Sequence, residues 1–333
     1  MARLAIIGGG IVGKSLLFSL AKEKRQKYDS VTLFTSDTLA PACTLRSTAI
    51  VAARGVLPGL SPLGDMIHQG IHFFNEHVRT DSPVGVYPVT QVSSAFQKKD
   101  AFFRRYQNYQ DTNHFKAVHF SEVLPVFTES AFYVKPDEYC DWLLQKSEEL
   151  LNLKVVNDFV TQIDEEGNLK TANGLEESFD HIIIAGGVKN NLWSGLLHEP
   201  KLKKAKSVRG SFLLFKNFSL FNESYSLSID DINLIFRFES KELIIGSTSK
   251  ESRLYEFDDR EELKKIYQFF QKILVHKLPD IGSAEVLIGM REKAPKREPY
   301  SGTEGKISYL GGLYKNGFTL SLKMASELVG QLP

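Results

Sequence analysis

Cysteine is scarce in this chain of 333 residues, with Cys43 and Cys140 the only two. Two thiols build neither a disulfide framework nor a cysteine-rich metal centre, and a reducing compartment suits them. Long hydrophobic runs are missing too. No apolar stretch reaches the ~18–20 residues that span a bilayer. The N-terminus enters an apolar strand at Leu4 with no basic region, apolar core and cleavage site before it, so no signal peptide is read and the cytoplasm is the expected location. An excess of one charge is absent as well: 41 Lys and Arg stand against 40 Asp and Glu, a net charge of +1. No global field selects nucleic acid or a membrane surface. Internal repeats and low-complexity segments are not found. What remains, 42% hydrophobic and 24% charged, is an ordinary globular composition long enough for two domains or one large one.

The most specific local signal opens the chain. Residues 3–8 read as a buried strand, and residues 11–24 as a helix with Leu16, Leu17 and Leu20 at helical spacing. Between them Gly8, Gly10 and Gly13 satisfy G-x-G-x-x-G. Gly8 permits the tight turn, Gly10 lets a pyrophosphate approach the backbone, and Gly13 lets helix and strand pack closely. The helix N-terminus then offers N–H groups and a positive dipole end to phosphate. With a second strand at 31–35 this is a βαβ unit with parallel strands, and a dinucleotide is expected.

One feature of that pattern is missing. The second strand ends on Thr35, where a carboxylate usually meets the adenosine ribose. A hydroxyl can bond a 2′-OH less strongly than a carboxylate can, and Asp37 can reach inward if the loop bends. Residues 35–45 contain no arginine, so a 2′-phosphate is not indicated.

Further along, residues 39–62 read as an extended loop, 65–79 as a helix, and Pro136 to about Leu151 as another helix. Several strands follow, ending in the apolar "HIIIAGG". A β-rich block runs from Val208 to Ser249, a charged helix spans roughly 258–276, and the tail reads strand, turn, helix. The chain leaves a nucleotide-type fold and returns to it, which predicts a discontinuous binding domain with a second domain inserted in pieces.

In order, these segments resemble the D-amino acid oxidase-like family of FAD-dependent oxidoreductases, in particular its glycine oxidase and sarcosine oxidase branch. The pattern begins with the glycine motif and a loop matched by "ACTLRSTAI". Val134-Lys135-Pro136 introduces a helix. Ala185-Gly186-Gly187 and Trp193 follow a buried strand, and Val208-Arg209-Gly210 starts the next. Gly289, Arg291 and Pro295 match G-x-R-x-x-x-P, and Gly312, Tyr314, Asn316 and Gly317 match G-x-Y-x-N-G. The resemblance spans nearly the whole chain, and its specificity lies in the ordered set.

It implies an α/β chain: a Rossmann-like FAD-binding domain with a parallel sheet (1–75, 134–210 and 285–333) and a smaller α+β substrate domain with a mixed or antiparallel sheet (76–133 and 211–284). It implies non-covalent FAD, since Arg46 stands where other branches carry a linking histidine and no cysteine follows Cys140. The ADP half lies on Gly8, Gly10, Ile11, Val12 and Gly13, with Thr35, Ser36 and Asp37 toward the ribose. The flavin lies over Arg46, Ser47 and Thr48 and over the turn of Gly312, Leu313, Asn316, Gly317 and Phe318. Val160, Ala185, Gly186, Gly187 and Trp193 complete the cofactor set, and Arg291 borders it.

The implied reaction oxidises the C–N bond of an amino acid or secondary amine. Hydride passes from the substrate Cα–H to flavin N5, and water hydrolyses the resulting imine. Arg291 matches the family arginine that clamps the substrate carboxylate, which suits a planar fork that stays charged. Tyr314 is a candidate wall of the flavin site. Lys315 stands where glycine oxidase-like proteins often carry a second carboxylate-binding arginine; it keeps the charge without the fork. In "INLIFRFESKELIIGSTS", related oxidases place a substrate-binding tyrosine. Here Leu234, Phe236 and Arg237 stand instead, so a substrate other than glycine is expected, with Arg237 either binding an acid in the pocket or facing water.

The resemblance leaves rivals open: an FAD-dependent 2-hydroxy acid dehydrogenase, an oxidase that modifies wobble uridine on tRNA, or a flavoprotein without catalysis. Cys43 beside Arg46 is either a thiol of lowered pKa or a small buried loop residue. His68, His72 and His77 share a helix, but no accompanying carboxylate suggests a metal site. The basic runs at 22–27 and 201–206 read as solvated ends, and nucleic acid is not the expected partner.

Overall fold

The computed structural model describes residues 2–23, 27–36, 43–106, 120–121, 124–219, 221–251 and 259–333. Asp37 lies outside them. Elements are numbered along the chain.

The glycine motif sits where its spacing predicts. Strand β1 (Arg3–Ile7) runs into helix α1 (Ile11–Glu23), and β2 (Ser30–Thr35) returns parallel to β1. On one side of this pair lie β10 (His181–Ile184) and β18 (Ile307–Gly311), on the other β6 (Leu153–Asn157), all parallel; β17 (Tyr300–Glu304) closes the edge antiparallel. Alternation along β1 shows both faces covered. Leu4 and Ile6 pack on Leu16, Leu17 and Leu20 of α1 and on Leu320 and Leu328 of α7 (Gly317–Gln331). Ala5 and Ile7 point the other way, onto Val160, Leu169 and Phe179. Those residues belong to a small sheet of β7 (Val160–Ile163), β8 (Asn168–Thr171) and β9 (Glu176–Ser178) with its following turn. Two covered faces make near-continuous apolar strands such as "HIII".

Helix α1 is buried on most sides because α2 (Pro62–Asp81) and α4 (Pro136–Glu148) cover what the sheet and α7 leave. Both covering helices begin at a proline, where the missing N–H costs nothing, and Ser61 caps α2 by accepting the Gly64 N–H. His77 is buried in this layer between Asp81 and Tyr139, and His68 meets the Val56 carbonyl, so these histidines serve packing and hydrogen bonding.

The second sheet holds nine strands among the described residues. β16 (Glu285–Lys293) and β15 (Lys250–Glu251) both pair with β11 (Lys206–Phe215). Then come β14 (Glu242–Gly246), β13 (Ile232–Arg237), β12 (Tyr225–Ile229), β4 (Val86–Ser94), β5 (Val126–Val134) and β3 (Ile50–Val51). β12 and β4 are parallel, and the other pairs are antiparallel. Asp230 and Asp231, both at positive φ, form the two-residue turn between β12 and β13. One face is sealed by α6 (Arg260–Ile273), whose Leu263, Ile266, Tyr267, Phe270 and Ile273 recur at helical spacing. Leu234 and Phe236 are fully buried on this face. They point away from the sheet surface that looks toward the glycine motif, and the neighbours in sequence, Asn233 and Ile235, occupy that surface. The single strand β11 continues across residue 210, and β16 lies beside it in the large sheet.

Candidate cofactor and substrate site

A cavity of about 660 Å³ begins at the glycine motif and ends above the large sheet. At its nucleotide end the glycines have no room for side chains. A Cβ on Gly8, whose φ is +120°, would lie 2.3 Å from the Ala185 carbonyl oxygen, and one on Gly13 would lie 1.8 Å from the Gly8 carbonyl oxygen. Gly10 is different: its Cβ direction is open except for Thr44 Oγ1 at 3.1 Å, as a backbone meant for close approach should be. The Ile11 N–H is held by that same Thr44 hydroxyl at 2.9 Å, a contact the sequence did not single out. Thr35 lies against Gly9, where a Cβ would come 2.2 Å from its Oγ1. The position that usually carries the acid is therefore packed on the glycine turn and still lines the cavity.

In the middle, two turns meet through a buried carboxylate. Glu292 accepts from the Tyr300 hydroxyl at 2.5 Å, from the Gly312 N–H at 2.8 Å and from Asn190 Nδ2 at 3.3 Å. Asn190 in turn accepts the Gly186 N–H at 2.7 Å. This network ties the Gly186 turn to the Gly312 turn. Burial pushes the Glu292 carboxyl up to about 7, against the pull of its three donors. In sequence Glu292 stands among Arg291, Lys293 and Lys296, which made it look like one charge of a solvated loop.

Arg291 reaches the cavity by lying across β11. A Cβ on Gly210 would fall 1.4 Å from Arg291 Nη2, so the glycine of Val208-Arg209-Gly210 is the bed of this guanidinium. The preceding residue points the other way: Arg209 is buried and pairs with Asp259 at 2.6 Å and 3.1 Å. Arg291 donates to the Thr248 carbonyl at 3.2 Å and sits 5.6 Å from the Tyr314 ring centre. It makes no ion pair among the described residues. Gly289, one step back on the same face, lets the Cys43–Arg46 turn pass, with Arg46 O 3.1 Å and Cys43 Sγ 3.3 Å from its Cβ position. Burial pushes the Cys43 thiol up, although Arg291 draws it down, so of the two readings of this residue the thiol of lowered pKa is not met. Lys315 borders the same space. Burial, with the nearby charges of Arg291 and Arg54, lowers its pKa to about 8.

Of the sequence-derived candidates, all line this cavity except four. Gly13 packs α1 on its strand, and Asn316 precedes the first turn of α7. Asp37 lies outside the described residues. Arg237 is buried elsewhere, donating to Glu242 at 3.1 Å with its guanidinium 5.5 Å from the Tyr133 ring centre, and neither of its two expected surroundings is found. Sequence reasoning did not single out Asn233 and Arg54, which also line the cavity. Asn233 is one residue from the inspected Leu234, and strand phase was the signal that could have found it. Arg54 stands alone in a loop and carried no signal.

The residues present fit FAD. Gly10 leaves its approach open, the first turns of α1 and α7 both border one continuous cavity, and that cavity has room for a dinucleotide. Among the described residues no three His, Cys, Asp or Glu side chains are placed to hold a metal, and no helix is long and apolar enough to cross a membrane.

Solved structures of the same fold align over nearly the whole chain. Glycine oxidase from Geobacillus kaustophilus matches with a TM-score of 0.78 at 17% identity, covering 100% of this chain and 95% of that one. Iminodiacetate oxidase from Chelativorans sp. BNC1 matches with a TM-score of 0.76 at 16% identity, covering 99% and 97%. Dithionite-reduced L-alpha-glycerophosphate oxidase from Mycoplasma pneumoniae, with FAD bound, matches with a TM-score of 0.77 at 14% identity, covering 99% and 94%. No curated protein matches the chain. The profile described as FAD dependent oxidoreductase, the D-amino acid oxidase-like family, matches residues 3–331, and the chain belongs to that family of FAD-dependent enzymes.

Proposed function

We propose that this enzyme oxidises the carbon–nitrogen bond of an amino acid or a secondary amine that bears a carboxylate. The observation that carries this reading is Arg291, a guanidinium laid over Gly210 at the cavity wall with no ion pair among the described residues. A planar fork so placed suits a carboxylate bidentately. Bound FAD supplies the two-electron acceptor. The chain's part is orientation: Arg291 holds the carboxylate, Tyr314 lies beside that guanidinium, and Asn233 Oδ1, buried with no partner among the described residues, can accept an amine N–H. The large sheet and α6 serve as the substrate-side unit, with the parallel sheet as the nucleotide-side unit. FAD is held without a covalent bond, so acid denaturation should release all of the yellow colour.

Anaerobic addition of amino acids, N-methyl amino acids and 2-hydroxy acids to the FAD-loaded protein tests the reading. Bleaching of the flavin band by an amine-bearing acid is the expected result. Bleaching by hydroxy acids alone would move the reaction to C–O oxidation, and bleaching by none would leave a flavoprotein without this chemistry.

A further inference from the structure

We infer that the substrate is a dianion: beyond the carboxylate on Arg291, it carries a second acidic group that binds at Arg54. The inference rests on the proposed amine or amino-acid oxidation and adds a substrate class to it.

Arg54 lines the cavity on the short turn after β3. Backbone contacts, and not a side-chain partner, hold it in place. Arg54 and Gly55 both adopt positive φ, +50° and +68°. The Val56 N–H closes the turn on the Ala53 carbonyl at 3.0 Å, and the Arg54 N–H donates to Glu129 Oε1 at 2.6 Å. Tyr106 lies against this turn, so close that a Cβ on Gly55 would meet its ring carbons at 2.2 Å and 2.3 Å. The guanidinium itself forms no ion pair among the described residues, although it is buried enough to lower its pKa. A desolvated charge of this kind is costly until something pairs with it.

The surrounding acids are already engaged. Glu129 spends one oxygen on the Arg54 backbone N–H, and burial pushes its carboxyl up against the pull of the Arg54 charge. Asp230 accepts three backbone N–H groups, from Phe96, Gln97 and Lys98, and Asp231 pairs with Lys98. Against these stand Arg54, Arg291 and Lys315, and the charges of Arg54 and Arg291 both act on Lys315. Glu129 acts on the Arg54 charge without a hydrogen bond to its guanidinium, so one carboxylate on the Arg291 fork leaves that guanidinium with no hydrogen-bonded acid among the described residues, whereas a second acid supplies one. The same cavity also has a neutral, polar stretch of floor. Ser93, Ser228 and Asn233 lie side by side across β4, β12 and β13, and all three line the cavity. An amine carrying two acid arms suits a cavity that offers two cations and such a polar floor.

The test uses the FAD-loaded protein and the perturbation of its flavin absorbance on ligand addition. Malonate, succinate and glutarate are titrated against propionate, butyrate and valerate, which differ from them by one acid group. At least one dicarboxylate is expected to bind about tenfold tighter than its monocarboxylate partner. In Arg54→Gln that preference should vanish while the monocarboxylate affinity holds within about twofold, and Arg54→Lys should restore part of it. No preference in the wild type overturns the inference, whatever the variants do, and so does a preference that survives in Arg54→Gln. The two readings separate cleanly. Flavin bleaching by monocarboxylate amines with no dianion preference removes only the second subsite. A dianion preference without bleaching by any amine removes only the amine chemistry.

Discussion

Single residues decide where the reactive groups lie, and Gly210 shows it most directly. Its hydrogen is all that separates β11 from the Arg291 guanidinium, since a Cβ there would sit 1.4 Å from Nη2. A strand otherwise accepts alanine readily, so Gly210→Ala should leave the fold and the FAD content unchanged. The guanidinium must shift, and carboxylate affinity should fall roughly tenfold, about 1.4 kcal/mol. Ligand titration monitored by the flavin band checks both halves. Carboxylate binding equal to wild type would show that Arg291 is not the clamp. Gly13 makes the opposite case. Its neighbour is the Gly8 carbonyl oxygen and not a side chain that can swing away, so its lack of a Cβ belongs to the turn itself.

At the scale of the element, a strand sorts its residues by parity, and β13 shows what a one-residue phase error costs. Leu234 and Phe236 face α6 in the apolar core, while Asn233 faces the cavity. The family resemblance pointed at a hairpin whose Asn233 lines the cavity, and at Leu234 and Phe236 on its other face. Period-two alternation was weak there because "INLIFR" is buried on both sides. Two variants separate the faces. Leu234→Tyr forces a larger ring into a filled core and should cost about 1–3 kcal/mol in unfolding free energy while substrate preference stays put. Asn233→Leu removes a buried oxygen that has no partner among the described residues. It should raise the unfolding midpoint, by roughly 1–3 kcal/mol of stability, and weaken the binding of amine ligands. Denaturant melts of the two variants should move in opposite directions, and ligand titrations should change for Asn233→Leu alone.

At the scale of the molecule, the parts legible in the sequence were those whose signal is local and whose geometry is forced. The glycine turn, the doubly buried β10 and the proline-started α4 each follow from neighbours in the chain, whereas α2 starts at Pro62, inside the stretch read as loop. The parts that were not legible depend on contacts between distant segments. Glu292 is the clearest, because a carboxylate among basic residues reads as solvated until Asn190, Tyr300 and Gly312 are brought around it. Its burial has a consequence for the whole fold. Between its ordinary value of 4.5 and about 7 the folded chain holds a proton on Glu292 that the unfolded chain has lost. Stability from this group is full below 4.5 and is lost as pH rises to about 7, a change of roughly 3 kcal/mol. His181 works against it. It is buried beside Ser308 Oγ at 2.8 Å, and burial, with Lys27 nearby, lowers its pKa from 6.5 to about 4. Stability from His181 is full above 6.5 and is lost as pH falls to about 4, again by roughly 3 kcal/mol. The two slopes overlap and oppose each other, so each masks the other in the wild type. Glu292→Gln should unmask the histidine, its stability relative to wild type rising from pH 4.5 toward 7. His181→Gln should do the reverse, its stability relative to wild type falling from pH 4 toward 6.5. Urea melts of the three proteins across that range measure both differences. Parallel profiles for wild type and Glu292→Gln would mean that Glu292 keeps its ordinary value of 4.5 in the fold and holds the Gly186 and Gly312 turns together as a carboxylate above it.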